Sequence, residues 1–180
     1  MEGLQVINIV RIMTANHLLN LELICYSFDN SVLHRGRPEM LVMRMTNGHN
    51  LQMFRGGKVQ IFGNLKHEEA EEMRREFVMR LKTILPNLQV TPLKIVNLVV
   101  SLMLKHVIPL RTISSSNSSV FYEAELFPAA LIRRWHPAHI AVFHNGKVII
   151  TGVKTVSDVY TLLSELSPFL THLQASYVKK

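Results

Sequence analysis

Residues 56–64 read GGKVQIFGN, and residues 145–153 read NGKVIITGV. Lys58 and Lys147 lie 89 positions apart, close to half of the 180-residue chain. The same spacing relates Asn8 in VINIV to Asn97 in KIVNLV, Arg44 to Arg133, and Phe54 to Phe143. One spacing held across four separated segments marks an internal duplication. The repeats are expected over residues 1–87 and 88–180.

Each repeat reads as a strand, a short helix, several strands and a long helix. Residues 4–12 and 93–103 are β-branched and aliphatic runs of strand type. TNGHNLQMFRGGKVQIFG, residues 46–63, carries turn signals at Asn47-Gly48 and Gly56-Gly57, so it folds back as consecutive hairpins. The second repeat has Pro137 near its first turn and Asn145-Gly146 at its second. A helix is predicted over 67–85, with Ala70, Met73, Phe77, Leu81 and Ile84 on one stripe. Another is predicted over 155–170, with Val156, Val159, Leu163, Leu166 and Leu170 on its stripe. Pro86 and Pro92 bracket a linker. The run Ser114-Ser115-Ser116-Asn117-Ser118-Ser119 reads as a solvated loop, with a modification site as the alternative.

The chain is 48% hydrophobic and 18% charged, which is the composition of a globular domain. Its apolar stretches fall short of the ~18 residues of a membrane-spanning helix. MEGLQVINIV has neither the basic start nor the small-residue cleavage site of a secretory signal. A single cysteine, Cys25, excludes an intramolecular disulfide and fits a reducing compartment. Cys25 and the methionines are expected to serve as buried hydrophobes. A net charge of +7 and a pI near 9.8 favour a polyanionic partner, either nucleic acid, a membrane surface or an acidic protein.

Catalytic chemistry finds no support in these residues. His136, His139 and His144 have no Cys or nearby carboxylate to complete a tetrahedral metal set. GGK and NGK enter strands and do not cradle phosphates ahead of a helix. No nucleophile elbow or carboxylate pair stands out, and no catalytic segment follows up to Lys180. The expectation is a non-enzyme without metal or cofactor.

Alternation along strands separates two faces. Leu51, Met53, Val59 and Ile61 share one face, as do Ile140, Val142, Val148 and Ile150 in the second repeat. These aliphatic rows must lie beneath the long helices. The opposite face carries Asn8, Val10, Gln52, Phe54, Gln60 and Phe62, then Asn97, Val99, Ala141, Phe143, Ile149 and Thr151. It is too apolar for a solvated face and too polar for a second core, so it calls for a partner. A dimer interface or a further core layer would satisfy it equally well.

Tyr122, Glu123, Glu125, Leu126, Phe127 and Pro128, followed by Phe143, Gly146, Lys147, Val148, Thr151, Gly152 and Lys154, match in order a pattern of the TATA-box-binding protein family. The resemblance extends over nearly the whole chain through INIV and FRGGKV in the first repeat. It implies an α+β fold, in which two pseudo-symmetric repeats form one curved antiparallel sheet, a saddle, with helices on the convex face. The concave face would sit on the minor groove of A·T-rich double-stranded DNA. Asn8 and Asn97 would donate to base-edge acceptors. Val10 and Val99 would press on the groove floor, where guanine's amino group clashes. Phe127 and Phe143 match one pair of wedges that unstack a base step and bend the duplex, and Phe54 matches one member of the other pair. Arg44, Arg133, Lys58, Lys147 and Lys154 would meet flanking phosphates.

The resemblance further implies a nuclear transcription-initiation factor. Glu123, Glu125 and Leu126 would dock transcription factor IIB. Transcription factor IIA type factors and the RNA polymerase machinery are the other expected partners, with no membrane partner and a homodimer when free of DNA. The chain departs from the family at Pro38, where the fourth wedge would be Phe, and at Ala124, where the family has proline. Phe62 stands opposite Thr151 in the repeat alignment, and Gln52 and Gln60 replace aliphatic residues. These departures leave open a diverged paralogue acting mainly as a protein-interaction scaffold.

Overall fold

The computed structural model describes residues 2–105, 107–116 and 118–178. Strand β1 (Glu2–Thr14) is followed by helix α1 (Leu21–Ser27), β2 (Ser31–His34), β3 (Met40–Arg44), β4 (Asn50–Met53), β5 (Lys58–Gly63) and helix α2 (His67–Leu81). The order then repeats as β6 (Lys94–Met103), α3 (Leu110–Ser116), β7 (Val120–Phe121), β8 (Ala129–Ile132), β9 (His139–Phe143), β10 (Lys147–Val153) and α4 (Val156–Val178). The strand order is β2-β3-β4-β5-β1-β6-β10-β9-β8-β7, one open sheet. The strand pairs with a defined register are antiparallel. Contacts divide the chain into a first-repeat unit, Asn8–Val96, and a second-repeat unit, Met1–Ile7 with Asn97–Lys180. The boundary therefore falls inside β1.

The two quoted phrases close equivalent hairpins. Gly57 donates its N–H to Phe54 O at 2.9 Å, and Gly146 to Phe143 O at 3.0 Å. Both glycines have φ of 86°, a left-handed conformation that side chains disfavour. A β-carbon at Gly57 would also lie 2.8 Å from His17 O.

In the first-repeat unit, Leu51, Met53, Val59 and Ile61 are fully buried and join Met73, Phe77 and Leu81 of α2 in one core. Ile140, Val142, Val148 and Ile150 are equally buried in the second-repeat unit, where Val159, Leu162 and Leu166 supply the apolar stripe of α4. Arg11 is the charged exception on the core face among the described residues. It is 4% exposed and donates from Nη2 to Leu65 O at 2.9 Å, while Nε and Nη1 have no partner. Burial without a countercharge pulls its pKa below the ordinary guanidinium range. Its counterpart 89 residues on is the apolar Val100.

Several local expectations are corrected. The helix predicted over 67–85 ends at Leu81, and Ile84 packs on the core from the turn that follows. Val156 is half exposed at the start of α4, and Leu162 takes a place on the buried stripe instead. The helix continues to Val178, past the expected 170. The side chain of Leu170 lies outside the described residues. Ser114, Ser115 and Ser116 are not loop but the last turn of α3. Ser115 Oγ donates back to Arg111 O at 2.9 Å, a local bond that lets serine end a helix. Cys25 is half-buried against the core. Five methionines (13, 43, 45, 53 and 73) are buried, whereas Met79 and Met103 are exposed.

Candidate nucleic-acid interface

The alternating face is laid out by strand register. Val32, Val42, Gln52, Gln60 and Ile12 pair in sequence across the first-repeat unit. Phe121, Leu131, Ala141, Ile149 and Ser101 do so across the second. Each member of the second row lies 89 residues after its counterpart. Apart from the exposed edge residues Val32 and Phe121, every member is half-buried. Asn8, Val10, Phe54, Phe62, Asn97, Val99, Phe143 and Thr151 are half-buried as well. No helix stripe described above covers this face.

The two asparagines are held in one way. Gly63 donates its backbone N–H to Asn8 Oδ1 at 2.8 Å, and Gly152 donates to Asn97 Oδ1 at 2.7 Å. A backbone N–H can only donate, so each amide must turn its oxygen inward. Among the described residues nothing accepts from either Nδ2, which leaves both NH2 groups as free donors. Gly152 sits where the register of β10 against β6 shifts between Ile150 and Val153. Its φ is +84°, and a β-carbon there would come within 2.3 Å of Pro137 O.

Rings and cations surround these rows. The Phe127 and Phe143 centroids are 6.2 Å apart with planes tilted by 59°. Phe127 is 44% exposed. Phe54 has no ring neighbour among the described residues, and Pro38, the counterpart of Phe127, is exposed. Arg44, Arg133, Lys58, Lys147 and Lys154 are all exposed. Among the described residues, Arg44, Lys58 and Lys147 have no ion-pair partner, so their charge is available. Arg133 lies 5.9 Å over the Phe121 ring, a cation–π contact.

Glu123, Glu125 and Leu126 occupy the β7–β8 connection. Leu126 and Phe127 both donate backbone N–H groups to Glu123 O, at 3.1 and 3.0 Å. This turn leaves Leu126 73% exposed, directly after the exposed Glu123 and Glu125. A cleft of about 360 Å³ adjoins it, lined by Arg111, Ser114, Ser115, Tyr122, Glu123 and Glu125. The β2–β3 connection has the opposite charge character, with Arg35 and Arg37 exposed.

Reading the sequence missed Ile12, Val42, Ser101 and Leu131 on the half-buried face. Parity from Val10 and Val99 supplies Ile12 and Ser101. The 89-residue spacing then links Val42 to Leu131. Among the described residues, no three His, Cys, Asp or Glu side chains converge as a metal set, and no helix is long and apolar enough to cross a membrane.

A repeated strand–helix–strand unit with a partnerless half-buried sheet face defines the class, and comparison with known proteins gives the family. The family model "Transcription factor TFIID (or TATA-binding protein, TBP)" matches residues 3–84 and 92–173. The chain belongs to the TATA-binding protein family. It is 30% identical over 166 residues to a TBP-related factor of Drosophila melanogaster, covering 91% of this chain and 74% of that one. It is 25% identical over 170 residues to the TATA-box-binding protein of Schizosaccharomyces pombe, with coverages of 93% and 74%. Among solved structures, the Methanococcus jannaschii TBP superposes with a TM-score of 0.73 at 27% identity, covering 92% of this chain and 96% of that one. The family is one of DNA-binding transcription-initiation factors, not enzymes.

Proposed function

We propose that this chain binds and bends A·T-rich promoter DNA through the minor groove and recruits transcription factor IIB and the polymerase machinery in the nucleus. The observation that carries the reading is the paired asparagine arrangement. In each repeat a glycine N–H occupies the amide oxygen and leaves an NH2 donor on a half-buried, largely apolar face. A·T and T·A pairs offer only acceptors in the minor groove, at adenine N3 and thymine O2. An NH2 donor with apolar neighbours suits that pattern and rejects guanine's amino group.

On this reading Val10 and Val99 lie against the groove floor, beside Phe62 and Thr151. Phe127 and Phe143 wedge one base step and Phe54 another. Arg44, Arg133, Lys58, Lys147 and Lys154 meet phosphates, while Glu123, Glu125 and Leu126 form the factor-docking turn. Transcription factor IIA type factors are a further partner, and self-association through the same face covers it in the absence of DNA. Gel-shift titration at fixed salt tests the reading, with an A·T-rich duplex set against a G·C-rich one. Native binding should favour the A·T duplex, and Asn8→Ala or Asn97→Ala should reduce that preference by about tenfold, the cost of one lost specific contact. Equal affinity for the two duplexes would overturn the reading.

Pro38 at a wedge position and the exposed Leu126 favour a second reading, a scaffold with weak or lost TATA binding. In that case Phe127→Ala and Phe143→Ala leave transcription in a reconstituted assay intact. Glu123→Lys with Glu125→Lys abolishes it.

A further inference from the structure

Gln52 and Gln60 oppose each other directly across β4 and β5, on the half-buried face. Val42 flanks Gln52 and Ile12 flanks Gln60 in the same row. Neither side-chain amide has a partner among the described residues. The equivalent positions in the second-repeat unit, Ala141 and Ile149, are also directly opposed and carry no polar atom in their side chains. Two opposed glutamines with idle hydrogen-bonding groups add nothing to packing that aliphatic side chains would not add better. Their chemistry is suited to a polar ligand surface.

We propose that Gln52 and Gln60 let the first-repeat unit accept G·C base pairs in its half of the duplex, while the second-repeat unit keeps the demand for A·T. The inference rests on the minor-groove reading above. A G·C pair differs from A·T in that groove by one donor, the guanine 2-amino group. A glutamine amide carries both an acceptor and two N–H donors, and it rotates to present either. It can accept a hydrogen bond from the guanine amino group on Oε1, or donate one from Nε2 to the adenine and thymine acceptors. Ala141 and Ile149 can do neither, so a guanine amino group placed against them is desolvated without a partner. The chain thus reads a composite site, strict for A·T in one half and permissive in the other. That asymmetry also sets the direction in which the protein lies on the DNA.

The test is competition binding at fixed salt against an all-A·T duplex and a series with one pair at a time changed to G·C. A third series uses inosine·cytosine, which lacks the 2-amino group. In one half of the site each G·C change should weaken binding roughly tenfold or more, the ordinary cost of a mismatched pair. There, inosine should restore affinity. In the other half the loss should stay below about threefold, because the amino group finds an acceptor. Gln52→Ala with Gln60→Ile, which installs the side chains of the second repeat, should raise the smaller penalty to the larger one when each G·C penalty is measured against that variant's own affinity for the all-A·T duplex. Ala141→Gln with Ile149→Gln should relax the strict half. Circular dichroism confirms that each variant is folded. Equal penalties in both halves of the native complex, or an asymmetry that persists in the folded Gln52→Ala, Gln60→Ile variant, overturns the inference alone. No A·T preference in any arm overturns the minor-groove reading and the inference with it.

Discussion

Leu51, Met53, Val59 and Ile61 in one repeat and Ile140, Val142, Val148 and Ile150 in the other are all at most 1% exposed. The residues that alternate with them are Gln52, Phe54, Gln60 and Phe62 against Ala141, Phe143, Ile149 and Thr151, and only the phenylalanine at 54 and 143 is shared. Both faces belong to the same strands, so backbone geometry cannot account for the difference. The buried face must fill a fixed volume beneath a helix, where a change of one methylene is felt. The opposite face answers only to what binds it. A change of polarity concentrated on one side of a sheet is therefore expected to track recognition more than stability.

The largest effects should come from breaking what the repeats share. Ile61→Ala and Ile150→Ala should each cost about 2–5 kcal/mol, because each empties a fully buried site. Urea unfolding followed by circular dichroism measures both, and a loss restricted to one repeat would refute their equivalence. Next come the wedges. On the proposed minor-groove reading, Phe127→Ala or Phe143→Ala should forfeit the burial of a ring against DNA, about 1.5–3 kcal/mol, or tenfold and more in affinity. Phe54→Ala should cost less, since no second ring supports it. Gel shifts on one A·T-rich duplex rank the three.

Arg11 offers the reverse test, since the repeats differ there on the buried side. Arg11→Met should stabilise the protein slightly, because the gain from removing two partnerless buried nitrogens exceeds the loss of the Nη2 bond to Leu65 O while the aliphatic stem is kept. A fall in the urea midpoint would mean that Nε and Nη1 are satisfied in solution. The smallest effect concerns the start of α4. The Thr155 side chain, and then its backbone N–H at 2.9 Å from Oδ2, hold the Asp158 carboxyl below its ordinary pKa. The folded pKa is the lower one, so the stabilisation is complete above the unfolded value near pH 4 and fades as pH falls through the folded value. Asp158→Asn should therefore lower Tm slightly at pH 7 and converge with the native protein under acid. Glu69 makes the matching bond in the first repeat, from Lys66 N–H at 2.7 Å, so the helix starts are equivalent although the residue types differ.

The repeat, the hairpins and the two faces were legible because glycine turns and strand parity are local and periodic. Asn8 and Asn97 could be paired from spacing alone. Their anchoring to Gly63 and Gly152 could not, since it depends on backbone brought together from 55 residues away. Arg11 sat unnoticed between Val10 and Ile12 because a charged residue reads as solvated, and only the packed core reveals it as buried. The serine run misled for the opposite reason. Its composition reads as loop, yet three of its members finish α3, where the Ser115 hydroxyl bonds back to Arg111 O in the preceding turn. Val156 and Leu162 exchanged roles because the stripe was extrapolated backward from Val159, into a first turn that caps the helix and faces water.

β1 passes from one compact unit to the other within its length, with residues 2–7 grouped among partners that begin at Asn97. A ribosome makes those six residues some ninety residues before their partners. The first-repeat unit has all of its own segments once Val96 is out, and units of this kind fold as the chain emerges. Residues 2–7 must then wait as an unpaired strand end until the second repeat is translated, a feature that invites pairing with other chains. Assembly thus has a built-in order in time, and a product stalled before Asn97 would be dangerous through residues 2–7, which it has already made, rather than through the repeat it lacks.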